Sequence, residues 1–423
     1  MKQILSNILP FLFLLNNSTA TLIAQNYAIQ QGTIHVGNGQ VIEDGVILFE
    51  KNKIINVGKF ASEADKKYTR IDATGKQIYP GIILANTDVG LVEAEAIRPT
   101  RDDYEVNLIN TNIRSLIAFN TDSKVLPTYI FNGITYAQVC PRGGLVAGSS
   151  SVMKTNGWNW EDAVELADDG IHLYYPSLIN WGGKPNEKYT ATYNKIETFL
   201  ADAKAYADTF SLREKVLTLE PMREVFSGNK NLYIHVNGEK EIITAVLLAE
   251  KYGIKPVLVG AKDCEKIISF LKEKGCAIIL HKMHILPLRV DDDVNAIYKI
   301  PNALAEAGIL FCFGNNEYEN WNARNIMFNA GSAVAFGLQK EEAIKALTYN
   351  PAKILKCENQ MGTLEAGKNA TFLISKGDIL DMKSNQLETV FIDGQEVNLN
   401  ENWQQQLYEK YLQKYKQENS LKP

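Results

Sequence analysis

The chain has 423 residues, 45% of them apolar, 9% aromatic and 22% charged, which is ordinary for a folded soluble protein and excludes collagen-like or low-complexity classes. Its 44 basic and 49 acidic residues give a net charge of −5, against a nucleic-acid binder built on clustered Lys and Arg. With five His and five Cys, any metal centre has few ligand sets to draw on.

Residues 1–24 follow the plan of a secretory signal peptide. Lys2 supplies the charge, Ile8 to Leu15 the apolar run, broken only by Pro10, and Ser18, Thr19, Ala20 and Ala24 the small residues before Gln25. The run is too short to span a bilayer. The mature chain is therefore expected to be secreted or periplasmic, with no membrane span. A buried first helix is the alternative, and Asn16 and Asn17 directly after the run weigh against it. Cys140, Cys264, Cys276, Cys312 and Cys357 are scattered, odd in number and without a CxxC, so free buried thiols are expected.

From Tyr27 to Lys76 short alternating runs are punctuated by Gly and Asn at hairpin spacing, and similar runs return at Ala370–Ser375 and Thr389–Val397. One discontinuous β-sandwich, residues 25–79 with 361–400, is the expectation. Between them, apolar runs of four to six residues alternate with amphipathic helical segments: Ile78–Ala85, Ile134–Cys140, Leu232–Val236, Lys255–Val259, Ala277–Leu280 and Ile309–Phe313. Buried strands separated by helices predict parallel βα units, and residues 80–360 suit a (β/α)8 TIM-like barrel, with a doubly wound open sheet as the alternative. Residues 401–423 are expected to form a C-terminal helical tail.

Three stretches together resemble the amidohydrolase superfamily, in particular its imidazolonepropionase-like members. Gln77-Ile-Tyr-Pro-Gly-Ile-Ile-Leu-Ala-Asn-Thr-Asp is similar to the segment that opens the barrel, where Pro-Gly leads to a His-x-His. Asn350-Pro-Ala-Lys-Ile-Leu and Gly362-Thr-Leu-Glu-Ala-Gly-Lys-Asn-Ala-Thr-Phe-Leu-Ile are similar to the segment that closes it. The resemblance covers nearly all of the mature chain. It implies a metal at the C-terminal mouth of the barrel, held by His-x-His on the first strand, His on the fifth, often His on the sixth, and Asp on the eighth. Such an ion lowers the pKa of bound water so that hydroxide attacks an amide carbon.

Carried over residue by residue, those positions fall on Asn86, Asp88, His235, Gly260 and Asn316, so only His235 matches intact. Neutral amides are weak ligands, and Asn316 cannot take a proton as the family's Asp does. No metal is expected at high occupancy; zinc or another divalent ion is the group the resemblance implies. His281 and His284, after a predicted strand and near Asp291, Asp292 and Asp293, are the candidates for a relocated site; the plainer reading is a polar loop with a solvated acidic run. His35 and His172 read as structural.

Arg142, Gly143, Gly144 and Ser149 mark a Gly/Ser-rich segment read as a loop whose backbone N–H groups face a ligand pocket, with Arg98 and Arg101 adding charge and Trp158 and Trp160 walling it; glycines needed only for positive φ are the alternative. There is no Gly-x-Ser-x-Gly, P-loop or Gly-x-Gly-x-x-Gly. Two functions follow. One is a non-catalytic or weakly active ligand-binding or partner subunit, as a homo-oligomer or with an active homologue. The other is a hydrolase of non-peptide C–N bonds, on cyclic amide or acyl-amino substrates, with a weakened or relocated metal. A small-molecule ligand suits both.

Overall fold

The computed structural model describes residues 26–59, 67–180, 182–209, 214–287, 293–315 and 319–420. The segment 1–24 read as a signal peptide lies outside them, as do Asn316, Asp291 and Asp292. Among the described residues no helix is long and apolar enough to cross a membrane.

Five strands lead the described chain: β1 (Asn26–His35), β2 (Val41–Glu50), β3 (Lys53–Lys59), β4 (Thr69–Asp72) and β5 (Gln77–Pro80). The next eight are β6 (Ile82–Thr87), β7 (Ile134–Val139), β8 (Val146–Lys154), β9 (Val164–Tyr174), β10 (Asn231–Val236), β11 (Val257–Gly260), β12 (Ala277–Leu280) and β13 (Phe311–Phe313). β14 (Phe372–Ser375), β15 (Leu387–Ile392) and β16 (Gln395–Glu396) follow, and a helix over Trp403–Ser420 ends the described chain.

Strands from both termini share one sheet, in the order β16-β15-β14-β5-β1-β2-β3, with β4 beside the first half of β1 and β5 beside its second half. The joint is the antiparallel pair β14–β5, Phe372 opposite Pro80 and Ser375 opposite Gln77. Its core is a cluster including Ile29, Ile34, Ile47, Phe49, Ile78, Phe372 and Phe391. Phe49 on β2 meets the rings of Phe372 and Phe391 edge-on, both with centroids 5.4 Å apart, so the two chain ends meet in one apolar cluster. The eight strands hydrogen-bond as a single continuous sheet.

β6 to β13 form the barrel, each bonded to its chain neighbour. A bridge between Ala85 and Gly314, with Asn315 N donating to Ala85 O at 3.1 Å, brings the last strand back to the first. The α/β barrel and the separate two-ended sheet are as the sequence indicates. One strand departs from the parallel expectation: β8 pairs antiparallel with both β7 and β9. The segment read as an open Gly/Ser loop is thus a hairpin followed by a strand. Gly143 (φ +80°) and Gly144 (φ +68°) make the turn, a conformation L side chains rarely adopt. The reversal carries Trp158 and Trp160 to the opposite end of the barrel from Arg142, so they wall no pocket with it; Trp158 is 87% exposed.

Inside, aliphatic side chains, two tyrosines and a cysteine fill the lower half: Ile83, Ala85, Tyr136, Val152, Tyr233, Val257, Val259, Ile279 and Cys312. Ala352, Ile354, Leu355, Cys357 and Met361, on and after the helix Tyr349–Ile354, plug the bottom, and Asn231 Nδ2 donates to Ile354 O at 2.8 Å. The barrel is a packed core below and polar above. All five cysteines are buried free thiols.

Candidate functional site at the barrel mouth

The upper barrel is lined by side chains from consecutive strands. Near the end of β6, Asn86 sits at φ +56°, a left-handed conformation that asparagine tolerates better than most residues. The chain turns there, and Asn86, Thr87 and Asp88 are all fully buried. Asn86 N–H donates to Gln138 Oε1 on β7 at 3.1 Å, and its Nδ2 donates to the Asn315 carbonyl at 2.8 Å. The first strand is thereby tied to the second and the eighth.

Arg142 reaches into this mouth with no exposed surface. One guanidinium nitrogen donates to Asn86 Oδ1 at 2.8 Å and lies 3.5 Å from the Tyr174 hydroxyl; the other donates to Asn86 O at 3.3 Å. Nε lies 3.8 Å from Asp88 Oδ2. The arginine is anchored from behind. Its N–H donates to Asp103 O at 2.5 Å, and a Cβ on Gly144 would stand 2.8 Å from Leu108 O, so the hairpin is pressed against the 103–108 segment. Leu145 N and Val146 N both donate to Leu108 O, and Ser149 N to Ile113 O. These N–H groups are engaged with backbone carbonyls. Arg98 and Arg101 are drawn off to the Tyr104 ring, at 4.6 and 5.2 Å, and Arg101 also pairs with Asp103.

His235 on β10 is 8% exposed. Its Nε2 lies 2.9 Å from Nδ1 of His172 on β9, and its ring stacks on Tyr174 at 4.1 Å. His172 stacks in turn on Tyr233 at 4.6 Å. Below them, Asp169 Oδ2 accepts from Tyr233 at 2.5 Å and from Gln138 Nε2 at 2.8 Å. Asp169 enters the barrel where the β8–β9 register shifts between Ser150 and Val152 and Asp168 takes φ +52°. At the sixth strand Gly260 has φ +92°, and a Cβ there would stand 2.6 Å from Asn237 Oδ1 and 3.1 Å from the His281 ring. The His281 ring, following the seventh strand, thus lies over the glycine.

Burial holds all three imidazoles neutral. His172 and His235 are pushed well below the ordinary histidine value, first by desolvation and then by neighbouring positive charge, including Arg142. Desolvation, Lys262 and Arg142 bring His281 down to about 3. Burial raises Asp169 to about 6 despite the hydrogen bonds it accepts.

Asn86, Asp88, His235 and Gly260 therefore gather at one end of the barrel, and His281 joins them. His284 does not: its Nε2 lies 2.7 Å from Ser332 Oγ on a flanking helix. Asn316 lies outside the described residues; its neighbour Asn315 is buried beside Asn86. Among the described residues no three His, Cys, Asp or Glu side chains converge as a metal-binding group. At the positions the resemblance implies, Asn86 is bonded to Arg142 and Asn315, His235 lies against His172, and Gly260 carries no donor. The sequence reading missed His172, Tyr174, Gln138 and Asp169. The available signal was the inward alternation of Gly170, His172 and Tyr174 along one strand.

A model of the amidohydrolase family matches residues 145–397. A curated dihydroorotase of Caldicellulosiruptor saccharolyticus is 21% identical over 79% of this chain and 85% of its own. An imidazolonepropionase of Picrophilus torridus is 24% identical over 82% of this chain and 89% of its own. The solved structure of an amidohydrolase from Thermotoga maritima superposes with a TM-score of 0.78 at 23% identity, covering 88% of this chain and 99% of that one; at such identity the likeness is one of fold.

Proposed function

The chain belongs to the amidohydrolase family, and from that premise we propose that it is an exported member with little or no hydrolytic activity, serving as a ligand-binding or partner subunit. One observation carries this reading. Side chains at the family's ligand positions are committed to other residues of the mouth: Asn86 to Arg142 and Asn315, and His235 to His172. Asp88 lies against Arg142, and Gly260 offers no donor. Without an ion to acidify water, the low proton affinity of the three imidazoles makes them poor general bases near neutral pH. The test measures zinc in the purified mature protein and turnover on a panel of cyclic amides and N-acyl amino acids. Substoichiometric zinc with negligible turnover is expected. The export half predicts a mature amino terminus at Gln25, read by terminal sequencing of secreted material.

A second reading keeps hydrolysis of non-peptide C–N bonds with a relocated metal. It is favoured by Nε2 of His172 and of His281, both buried and without a hydrogen-bond partner among the described residues. Stoichiometric zinc lost on His281→Ala would establish it.

A further inference from the structure

We infer that the Arg142 guanidinium is the resident cation of the barrel mouth, standing where the family places its metal and keeping a divalent ion out. The inference rests on the reading that the mouth has no working metal centre, and adds what replaced it.

The geometry comes first. The two first-strand positions that would present ligands, Asn86 and Asp88, both turn their oxygens to Arg142, at 2.8 and 3.8 Å. The guanidinium also takes the Asn86 carbonyl, at 3.3 Å, and so draws together the same turn that an ion would. A guanidinium cannot lose its proton in a protein, so this positive charge is permanent. A divalent cation brought to Asn86 Oδ1 would have to displace it or share a water-poor pocket with a like charge.

The site is built to hold the arginine in place. Arg142 is fully buried, its backbone N–H is bound by Asp103 O, and the two glycines after it turn the hairpin against the 103–108 segment. Cys140 N donates to Thr87 O at 2.8 Å, so the strand delivering the arginine is bonded to the strand it neutralises. The third barrel strand runs backwards because this hairpin intervenes. The reversal of β8 and the delivery of Arg142 are therefore one structural event. The upper barrel needs a cation because Asp88 is buried without exposure, and one is supplied by the chain.

The experiment uses the full mature chain, Arg142→Ala and Arg142→Gln, each melted with and without added zinc and with and without added methylguanidinium. The wild type should melt at the same temperature in all conditions. Both variants should melt lower, should recover part of the loss with methylguanidinium, and should gain a zinc-dependent rise that the wild type lacks. If Arg142→Ala does not fold, Arg142→Gln alone decides. Variants that melt like the wild type, or that respond to neither cation, overturn the assignment of Arg142 while leaving the metal-poor reading intact. Stoichiometric zinc in the wild type with Arg142 present overturns both.

Discussion

Replacing Asp169 with asparagine isolates the cost of holding a carboxyl inside the barrel. Its Oδ2 accepts from Tyr233 at 2.5 Å and from Gln138 at 2.8 Å. Oδ1 is buried with no hydrogen-bond partner among the described residues. Burial lifts the carboxyl from its ordinary 3.8 to about 6, although the Tyr233, Ser150 and Gln138 bonds pull the other way. The folded protein therefore keeps this proton over a range where the unfolded chain has already released it. The unfolded state binds fewer protons there, so stability falls as pH rises from 3.8 to about 6. At about 1.4 kcal/mol per tenfold change in proton affinity, the loss is roughly 3 kcal/mol. Asparagine at this position keeps one acceptor for Tyr233 and Gln138 and carries no titrating proton. Urea unfolding followed by tryptophan fluorescence, at closely spaced pH from acid to neutral, measures both proteins. The stability of Asp169→Asn minus that of the parent should rise by about 3 kcal/mol across the window and level off above it. A difference that is flat in pH, or that falls, would refute the account of this network.

The buried histidines predict the opposite slope. His281 is held down to about 3, so the unfolded chain takes up a proton below about pH 6.5 while the folded chain does not; stability is lost as pH falls through that range, and His281→Asn should remove part of the loss in the same unfolding series. Arg142→Met should cost about 3–5 kcal/mol by leaving Asp88 buried without its cation, and adding Asp88→Leu should return much of it in a double-mutant cycle of unfolding free energies. Gly144→Ala should cost about 1–3 kcal/mol, because φ is +68° and the new methyl meets Leu108 O; an unchanged melting temperature would contradict the hairpin placement. Asn86→His, Asp88→His and Asn316→Asp together should raise zinc content when combined with Arg142→Ala, and should do little while Arg142 remains.

Much of this was legible in the sequence, for identifiable reasons. The two-ended sheet follows from hairpin-spaced strands at both ends, and Phe49 against Phe372 and Phe391 shows why they must meet. Apolar runs such as Ala277–Leu280 are buried because helices cover the barrel, and they announce parallel strands. The antiparallel β8 was not legible as a strand. Ser150 is polar yet faces the barrel interior, where it and Gln138 bond each other at 3.2 Å, so the usual link between polarity and exposure fails. The same inversion hid Asp169. His172 read as a core histidine, and it is buried; what the spacing could not reveal is that β9 places its Nδ1 at His235. Arg142 was visible as a charge beside two glycines. Its direction depends on the 103–108 segment, a contact between chain stretches that no local pattern encodes.

The most direct test of the central claim is the zinc content of the mature wild-type protein after incubation with excess zinc and removal of the free ion, measured by mass spectrometry beside His235→Ala. The commitment of Asn86 and Asp88 to Arg142 and of His235 to His172 predicts substoichiometric zinc in both proteins, with no difference between them. Stoichiometric zinc in the wild type, lost in His235→Ala, would contradict it.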